Sequence, residues 1–252
     1  MRILLTNDDG PFAEGLAALR ALLEGYGEVK VLCPDTERSG TGHAVTYMAP
    51  VRAREVVASD GKPITLLSGT PADCVRFGVL QAPDPRPDLV VSGPNVGLNA
   101  GVDVFYSGTV AAALEGGICG VTSVAISGSR HQPAGMDRLI TQAGRALRLL
   151  LDLGDTGASV WNVNIPRLDD REPEIVFTGQ SNCFPRGSYA HRRDSRGRSH
   201  YWLDTAADPH PAPPDSDMAA LERGAISITP LRLELTHREA LERLTDAVAD
   251  HL

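Results

Sequence analysis

The stretch Asp88-Leu89-Val90-Val91-Ser92-Gly93-Pro94-Asn95 decides the fold class of this chain. Its centre is apolar on both faces, and a strand that hides both faces needs helices above and below it, as in a parallel sheet. A second run of this kind, Val124-Ala125-Ile126, follows after a helical pattern. Because strand-like and helical patterns alternate over the first two thirds of the chain, we expect an α/β fold with a doubly wound, mostly parallel (Rossmann-like) sheet.

The elements and their grouping follow from the same patterns. Strands are predicted over residues 2–6, 29–33, 64–67, 88–92, 121–127 and 160–165, and helices over 16–26, 71–81, 110–116 and 136–153. Residues 1–180 form the α/β core, and residues 181–252 an extension within the same structural domain. The extension contains a hairpin of strands 188–193 and 198–203 around Asp194-Ser195-Arg196-Gly197, a strand over 225–228 and a last helix. That helix begins at Thr236, with Glu239 completing a capping box.

Two features of the extension need a partner. A two-stranded hairpin is not stable alone, and the last helix carries an apolar stripe of Leu241, Leu244, Val248 and Leu252. We expect both to pack on the core and on a second subunit.

Composition and charge exclude some classes of binding partner. The 252 residues include 24 Lys+Arg and 32 Asp+Glu, a net charge of −8, so the surface as a whole does not attract duplex nucleic acid or an anionic membrane. The most apolar stretch, 110–127, is broken by Glu115 and several glycines, so no membrane span is predicted. The cysteines show no metal-binding spacing and the N-terminus no signal-peptide pattern. We expect reduced thiols and a cytoplasmic protein.

Oxygen-bearing side chains follow three of the predicted strands. Asp8 and Asp9 come directly after the first strand, Ser39 lies in the loop after the second, and Asn95 lies just beyond the strand 88–92. Carboxyl ends of parallel strands meet at one edge of the sheet, and two adjacent carboxylates there need a cation to offset their repulsion. Oxygen ligands suit Mg²⁺ or Mn²⁺. Taken singly, these residues also fit turns or a helix N-cap; their joint position favours a metal site.

A comparison of two Ser-Gly-Thr tripeptides locates a phosphate site. In the first, Thr70, Pro71 and Asp73 can satisfy the helix start by themselves. In the second, Ser107-Gly108-Thr109, no carboxylate or amide follows at the third helical position. Backbone N–H groups, two hydroxyls and the helix dipole therefore remain available to an anion. The alternative is that Ser107 or Thr109 is only an N-cap.

Other chemistry-bearing residues give weaker signals. The chain has no GxGxxG after its first strand, no GxxxxGK[ST] and no GxSxG. His43 is carried by a loop and could reach the site, although a lone His is more often structural. His43 and Asp9 are the candidate general acids. The basic cluster Arg186, Arg192, Arg193, Arg196 and Arg198 fits a solvated face, with steering of anionic substrates as the alternative.

Taken together, these blocks resemble the survival protein SurE family. The resemblance is carried by Asn7-Asp8-Asp9-Gly10, Glu37-Arg38-Ser39-Gly40, Gly42-His43, Gly69-Thr70-Pro71-Ala72-Asp73-Cys74-Val75, Ser92-Gly93-Pro94-Asn95-Val96-Gly97-Leu98-Asn99 and Tyr106-Ser107-Gly108-Thr109-Val110-Ala111-Ala112. It extends through Asn162-Val163-Asn164-Ile165-Pro166, Tyr201-Trp202 and Ile228-Thr229-Pro230-Leu231. Pro94 and Ala44 depart from the residues common in the family at those positions.

The resemblance implies a metal-dependent phosphomonoesterase for nucleoside 5′- and 3′-monophosphates, and in some members short polyphosphate. It implies that Asp8, Asp9, Ser39 and Asn95 coordinate one divalent metal per subunit, and that Ser107, Gly108 and Thr109 hold phosphate. It also implies a homodimer or homotetramer that exchanges the hairpin and the C-terminal segment. We therefore take Asp8, Asp9 and Asn95 as the catalytic residues. The alternatives are an aspartyl-phosphate phosphatase with Asp8 or Asp9 as nucleophile, and a non-catalytic nucleotide-sensing module.

Overall fold

The computed structural model describes residues 1–13, 15–81, 86–129, 135–154, 157, 159–183, 187–204 and 211–249. The strands are β1 (Arg2–Thr6), β2 (Glu28–Pro34), β3 (Ala53–Val57), β4 (Pro63–Leu67), β5 (Leu89–Val96), β6 (Thr122–Gly128), β7 (Val160–Ile165), β8 (Ile175–Phe177), β9 (Ser188–Arg193), β10 (Ser199–Asp204) and β11 (Ile226–Leu231). The helices are α1 (Leu16–Glu24), α2 (Pro71–Leu80), α3 (Gly108–Ile118), α4 (Gly135–Leu153), α5 (Asp217–Glu222) and α6 (Arg238–Ala249), with a 3-10 turn at Gly101–Phe105.

One large sheet organises these elements, in the strand order β3-β4-β2-β1-β5-β6-β7-β11-β8. The six strands from β4 to β7 are parallel, whereas β3 and β11 each run antiparallel to a neighbour. From β1 the chain moves outward to β2 and β4, and then returns past β1 to β5, β6 and β7. The predicted doubly wound, mostly parallel sheet is confirmed, and its switch point lies between β1 and β5.

Alternate residues of β1 show how the sheet is buried on both faces. Ile3 and Leu5 pack in one cluster with side chains of α1 and α4, and Leu4 packs in another with side chains of α2 and α3. Ile3, Leu4 and Leu5 are all at most 2% exposed. The sheet is therefore the middle of three layers, with helices packed on both of its faces. The loops between strands and helices lie along the edges of the sheet.

The predicted core elements are all present, with ends that differ by at most four residues. The sequence missed β3, β8, α5 and the 3-10 turn. β3 is an edge strand whose residues are mostly exposed, and the other missed elements are no longer than six residues. None of them therefore carries a long hydrophobic repeat.

The hairpin prediction is confirmed, because β9 and β10 pair as a separate two-stranded antiparallel sheet. The Asp194 carboxylate accepts hydrogen bonds from the backbone N–H groups of Arg196 and Arg198 and fixes the turn. In contrast, β11 joins the main sheet beside β7. The division into 1–180 and 181–252 stays a prediction.

The capping box predicted at Thr236 and Glu239 is wrong. α6 begins at Arg238, and His237 Nδ1 accepts the N–H of Ala240 at 3.1 Å. The Thr236 side chain bonds to Glu234 instead. Leu241, Leu244 and Val248 are 47%, 66% and 57% exposed, so the apolar stripe lies uncovered in the single chain; Leu252 lies outside the described residues.

Candidate active site

The carboxyl ends of β1 and β5 open into a cleft of about 380 Å³. Five of the predicted site residues line it: Asp8, Asp9, Ser39, Asn95 and Ser107. They come from four separate chain segments, which the switch point between β1 and β5 brings together. Gly108 and Thr109 follow Ser107 at the start of α3 and pack against Asp8.

Asn7 makes the turn after β1. Its side-chain amide donates to the carbonyl oxygen of Gly10 at 2.8 Å and its Oδ1 accepts the N–H of Gly10 at 3.2 Å. Gly10 has a φ of +85°, a conformation that glycine adopts without strain. The next helix starts with Gly15 as its N-cap. The alternative reading of Asp8 and Asp9 as N-cap residues is therefore wrong, and both carboxylates face the cleft.

Asp8 is held by the helix opposite. It is 5% exposed, and the fully buried Thr109 hydroxyl donates to its Oδ1 at 2.7 Å. Burial raises the pKa of Asp8, and the hydrogen bond from Thr109 offsets part of that rise. This contact corrects one expectation: the Thr109 hydroxyl orients Asp8 and is not left for an anion, so Thr109 offers its backbone N–H alone.

Ser107 and Thr70 show the predicted contrast between the two Ser-Gly-Thr tripeptides. Thr70 forms a complete capping box with Asp73 at the start of α2. At α3 the Ser107 hydroxyl oxygen accepts the N–H of Val110 at 3.1 Å, and the first turn holds no acidic residue. The Ser107 hydroxyl proton and the remaining N–H groups of the first turn stay available at the cleft.

The loop that carries Ser39 is tied to the other walls of the cleft. The Ser39 hydroxyl donates to Glu37 at 2.7 Å. The backbone N–H of Arg38 donates to the carbonyl oxygen of Asp8, and that of Gly42 to the carbonyl oxygen of Tyr106. These bonds fix the distance of Ser39 from the end of β1.

Asn95 lies where β5 departs from regular pairing. The register between β5 and β6 shifts between Ser92 and Asn95, as at a β-bulge. Gly93 has a φ of +128°. The Asn95 amide donates to the carbonyl oxygen of Gly97 at 2.7 Å, which leaves its Oδ1 as the ligand atom for a cation.

His43 does not line the cleft in the described structure. Its Nε2 lies 2.9 Å from Glu115 Oε2, and Arg76 Nε lies 2.7 Å from the other oxygen of this buried carboxylate. Burial alone would raise the pKa of Glu115, but His43 and Arg76 hold it below its ordinary value. His43 thus connects the Ser39 loop to α3.

The Arg cluster also lies away from the cleft. Arg198 pairs with Asp194 within the hairpin at 2.7 Å, and Arg186 lies outside the described residues. Steering of substrates by this cluster stays a prediction.

Comparison with known proteins identifies the family. The sequence model described as "Survival protein SurE" matches residues 3–184. The chain belongs to the survival protein SurE family. It is 40% identical to the "5'-nucleotidase SurE" of Syntrophobacter fumaroxidans, over 97% of this chain and 98% of the relative. It is 41% identical to the "5'/3'-nucleotidase SurE" of Serratia proteamaculans, over 94% and 92%. The fold matches the crystal structure of the SurE protein from Aquifex aeolicus, with a TM-score of 0.81 and 33% identity over 98% and 99% of the two chains.

The donor set of this SurE chain fits a hard divalent cation. Two carboxylates, a hydroxyl and an amide oxygen are ligands that Mg²⁺ and Mn²⁺ accept, with water completing the coordination. Among the described residues no group of three or more His, Cys, Asp or Glu side chains is placed to hold a metal. A metal at Asp8 and Asp9 would therefore be completed by neutral oxygens, and Ser39 and Asn95 line the same cleft.

The charge of the cleft adds a second constraint. Asp8, Asp9, Glu37 and Asp103 line it, and the described lining residues include no Lys, Arg or His. An anion that enters the cleft meets four carboxyl groups. The N-terminus of α3 alone is a modest counterweight, because the dipole of a partly buried helix end is worth up to about 2 kcal/mol.

Sequence reasoning missed two contributors to this site. Asp103 lies four residues before Ser107, a spacing of one helical turn that could have drawn attention to it. Asn99 lines the cleft and is fixed by Asn162, Asn164 and Ser127. No local pattern reveals the Asn99 network, because its partners lie on different strands.

Finally, no helix in the described ranges combines the length and the apolar character that a membrane crossing needs.

Proposed function

We propose that the chain is a divalent-metal-dependent phosphomonoesterase that hydrolyses nucleoside 5′-monophosphates, and also 3′-monophosphates and short polyphosphate. The observation that carries this is the cleft itself. Four side chains with oxygen atoms that can bind a metal lie beside the open N-terminus of α3, and the described lining residues supply no cationic side chain. The names of the relatives, 5′-nucleotidase and 5′/3′-nucleotidase, support the same substrate class.

One Mg²⁺ or Mn²⁺ ion per subunit would be held by Asp8, Asp9, Ser39 and Asn95. The chemistry that such an ion would supply is polarisation of a phosphoryl oxygen and a lowered pKa for water. Asp8, Asp9 and Asn95 would act catalytically by holding it. The Thr109 hydroxyl holds the Asp8 carboxylate in its orientation, which leaves less rearrangement to be made when the ion binds.

The phosphoryl group would bind at the start of α3. The Ser107 hydroxyl and the backbone N–H groups of Gly108 and Thr109 are the donors. Fixed donors of this kind stabilise the charge that spreads over the equatorial oxygens as the leaving oxygen departs.

The test replaces one carboxylate. Asp8→Asn should abolish metal-dependent release of phosphate from AMP, measured with malachite green in Mg²⁺ and in Mn²⁺, while circular dichroism stays unchanged. Asp137→Asn is the matched control, because Asp137 is exposed in the first turn of α4. Full activity of the Asp8 variant would contradict the proposal.

The two alternatives are not supported by the relatives, whose names are those of nucleotidases. Each has a direct test. Rapid quench with mass spectrometry would find a covalent phosphoprotein if Asp8 or Asp9 were a nucleophile. A sensing module would bind nucleotide with no turnover in excess Mn²⁺.

We further infer a homodimer or homotetramer, formed by exchange of the hairpin and the C-terminal segment. Exposed apolar side chains on both support it: Tyr201, Trp202 and Leu203 on β10, and Leu241 and Leu244 on α6. Light scattering after size exclusion should give a multiple of 26.8 kDa, and Trp202→Ser with Leu244→Ser should lower it. A wild-type monomer at micromolar concentration would contradict this inference. Cysteines that form no disulfide, such as the buried Cys33 and Cys74, fit the cytoplasm as its compartment.

A further inference from the structure

Asp103 is a carboxyl group of the cleft to which the proposed function gives no part. It belongs to the 3-10 turn Gly101–Phe105, which leads directly into α3. The carbonyl oxygen of Asp103 accepts the N–H groups of Tyr106 and Ser107, each at 3.0 Å. Asp103 therefore stands one turn before the N-cap of α3 and lines the same cleft as Ser107.

The surroundings of this carboxyl group favour its neutral form. Within the described part of the chain it has no hydrogen-bond or ion-pair partner. Asp8, Asp9 and Glu37 share the cleft, and the described lining residues supply no positive side chain. Although the residue as a whole is exposed, desolvation of its carboxyl group by the surrounding protein raises its pKa. A carboxyl group whose pKa is raised is better suited to donate a proton than one with its ordinary pKa.

The turn that carries Asp103 is fixed from the C-terminal part of the chain. Gly101 N–H donates to Asp217 Oδ2 at 2.8 Å, and the Gln180 side-chain amide donates to the carbonyl oxygen of Gly101 at 2.8 Å. Asp217 is fully buried and also accepts the N–H groups of Ser181 and Met218. The backbone of Asp103 is thereby held against the cleft, as proton transfer to a bound substrate requires.

The two general-acid candidates from the sequence fit the role less well. His43 is bonded to Glu115 and does not line the cleft in the described structure, and Asp9 is a proposed metal ligand. Resting on the proposed function, we propose that Asp103 is the general acid that protonates the leaving oxygen of the nucleotide.

The reaction then balances as follows. The water oxygen forms a bond to phosphorus, and the bond from phosphorus to the sugar oxygen breaks with its electron pair on that oxygen. Asp103 transfers its proton to this oxygen, so the nucleoside leaves as an alcohol. The attacking water loses one proton to solvent, and the Asp103 carboxylate takes one from solvent. One water molecule is consumed for each phosphate released.

The test compares substrates that do and do not need an acid. Asp103→Asn keeps the shape of the side chain and removes no contact among the described residues. We expect kcat/KM for AMP to fall by about 10²–10⁴-fold, the usual contribution of a general acid. With 4-nitrophenyl phosphate, whose leaving group departs as a stabilised anion, we expect a loss of less than about tenfold, because the need for a proton is small. Asp137→Asn should keep wild-type rates on both substrates.

Equal losses on the two substrates, or no loss on either, would overturn the role of Asp103. Isothermal titration of Mn²⁺ into Asp103→Asn should give the wild-type dissociation constant; a large change would mean that Asp103 serves the metal and not the leaving group. Failure of the proposed function itself would look different, since the wild-type protein would then release no phosphate from AMP with either metal.

Discussion

Gly108→Ala should damage the site by moving Asp8. A Cβ atom built on Gly108 lies 2.9 Å from Asp8 Cβ, 3.0 Å from Asp8 Oδ2 and 3.2 Å from Pro71 Cγ, whereas ordinary contacts begin at 3.4 Å. The Asp8 side chain must therefore retreat by about 0.5 Å, the limit within which a productive site has to be held. The variant keeps the backbone N–H of residue 108, so the phosphate donor survives and the change acts on Asp8.

The magnitude follows from this displacement. A misplacement of 1 Å can cost about 10²-fold in rate. We therefore expect kcat/KM for AMP to fall by about 10- to 100-fold, which corresponds to about 1.4–2.7 kcal/mol of transition-state stabilisation. Overpacking costs about 1–3 kcal/mol of folding free energy, against a total stability of about 5–15 kcal/mol for a typical domain. The net change in stability is small enough for the variant to stay folded.

Steady-state kinetics with AMP, together with calorimetric titration of Mn²⁺, measure the effect. The matched control is Gly179→Ala, because a Cβ atom at Gly179 meets no atom of the described residues within 4 Å. The control should keep wild-type activity and metal affinity. Wild-type kcat/KM and Mn²⁺ affinity in Gly108→Ala would refute the reasoning, and so would an equal loss in the control.

Three further outcomes are expected. Thr46→Val removes the hydroxyl hydrogen bond from Thr46 to Asp73, one of the bonds from Thr46 and Thr70 that hold the pKa of Asp73 below 3.8 in spite of its burial. The backbone N–H of residue 46 still donates to Asp73. The loss, about 1 kcal/mol in urea unfolding at pH 7, should shrink as the pH falls below about 4, because the carboxylate that Thr46 stabilises becomes protonated. Asp217→Asn places an amide N–H₂ against backbone N–H groups that now donate to the carboxylate, such as that of Gly101. We expect the free energy of unfolding to fall by about 1–3 kcal/mol, which lowers the thermal midpoint by several degrees. The kcat for AMP should fall as well. Raising NaCl from 50 to 200 mM should change the affinity for inorganic phosphate by less than about threefold, since long-range screening matters little inside a cleft, whereas EDTA should abolish binding. An unchanged urea midpoint, an unchanged thermal midpoint, or phosphate binding in EDTA would contradict the respective prediction.

The central strands of the sheet could be predicted because their hydrophobic pattern lies within a few consecutive residues. Val90 and Val91 sit in a strand hidden on both faces, and such a run has few alternatives to a parallel sheet. The position of β11 could not be predicted in this way. Its residues read as a strand, but nothing within them says that it pairs antiparallel with β7. Pairing is decided by contacts between segments that are distant in sequence.

The candidate site shows the same division. The oxygen donors could be predicted because each follows the end of a strand, and strand ends meet at one edge of the sheet. The partner of the Thr109 hydroxyl could not, because Asp8 lies 101 residues away. His43 likewise read as a free loop residue until the structure placed it beside Glu115, 72 residues along the chain. The sequence does not show which side chains are already bonded to a residue far along the chain. Such a bond decides whether the side chain is available to a ligand.

The net negative charge of the chain and the carboxyl groups of the cleft both oppose the binding of an anion. A net charge of −8 and the carboxylates of Asp8, Asp9 and Glu37 along the cleft repel a phosphate dianion, and the N-terminus of α3 is too weak a counterweight to reverse this. A bound divalent cation would reverse the sign of the local potential at the one place where phosphorus must be attacked. Substrate binding would then require metal binding first. On this view the acidic cleft excludes phosphate esters from the empty site, and desolvation of the Asp103 carboxyl group, which raises its pKa, suits it to the step in which the nucleoside leaves.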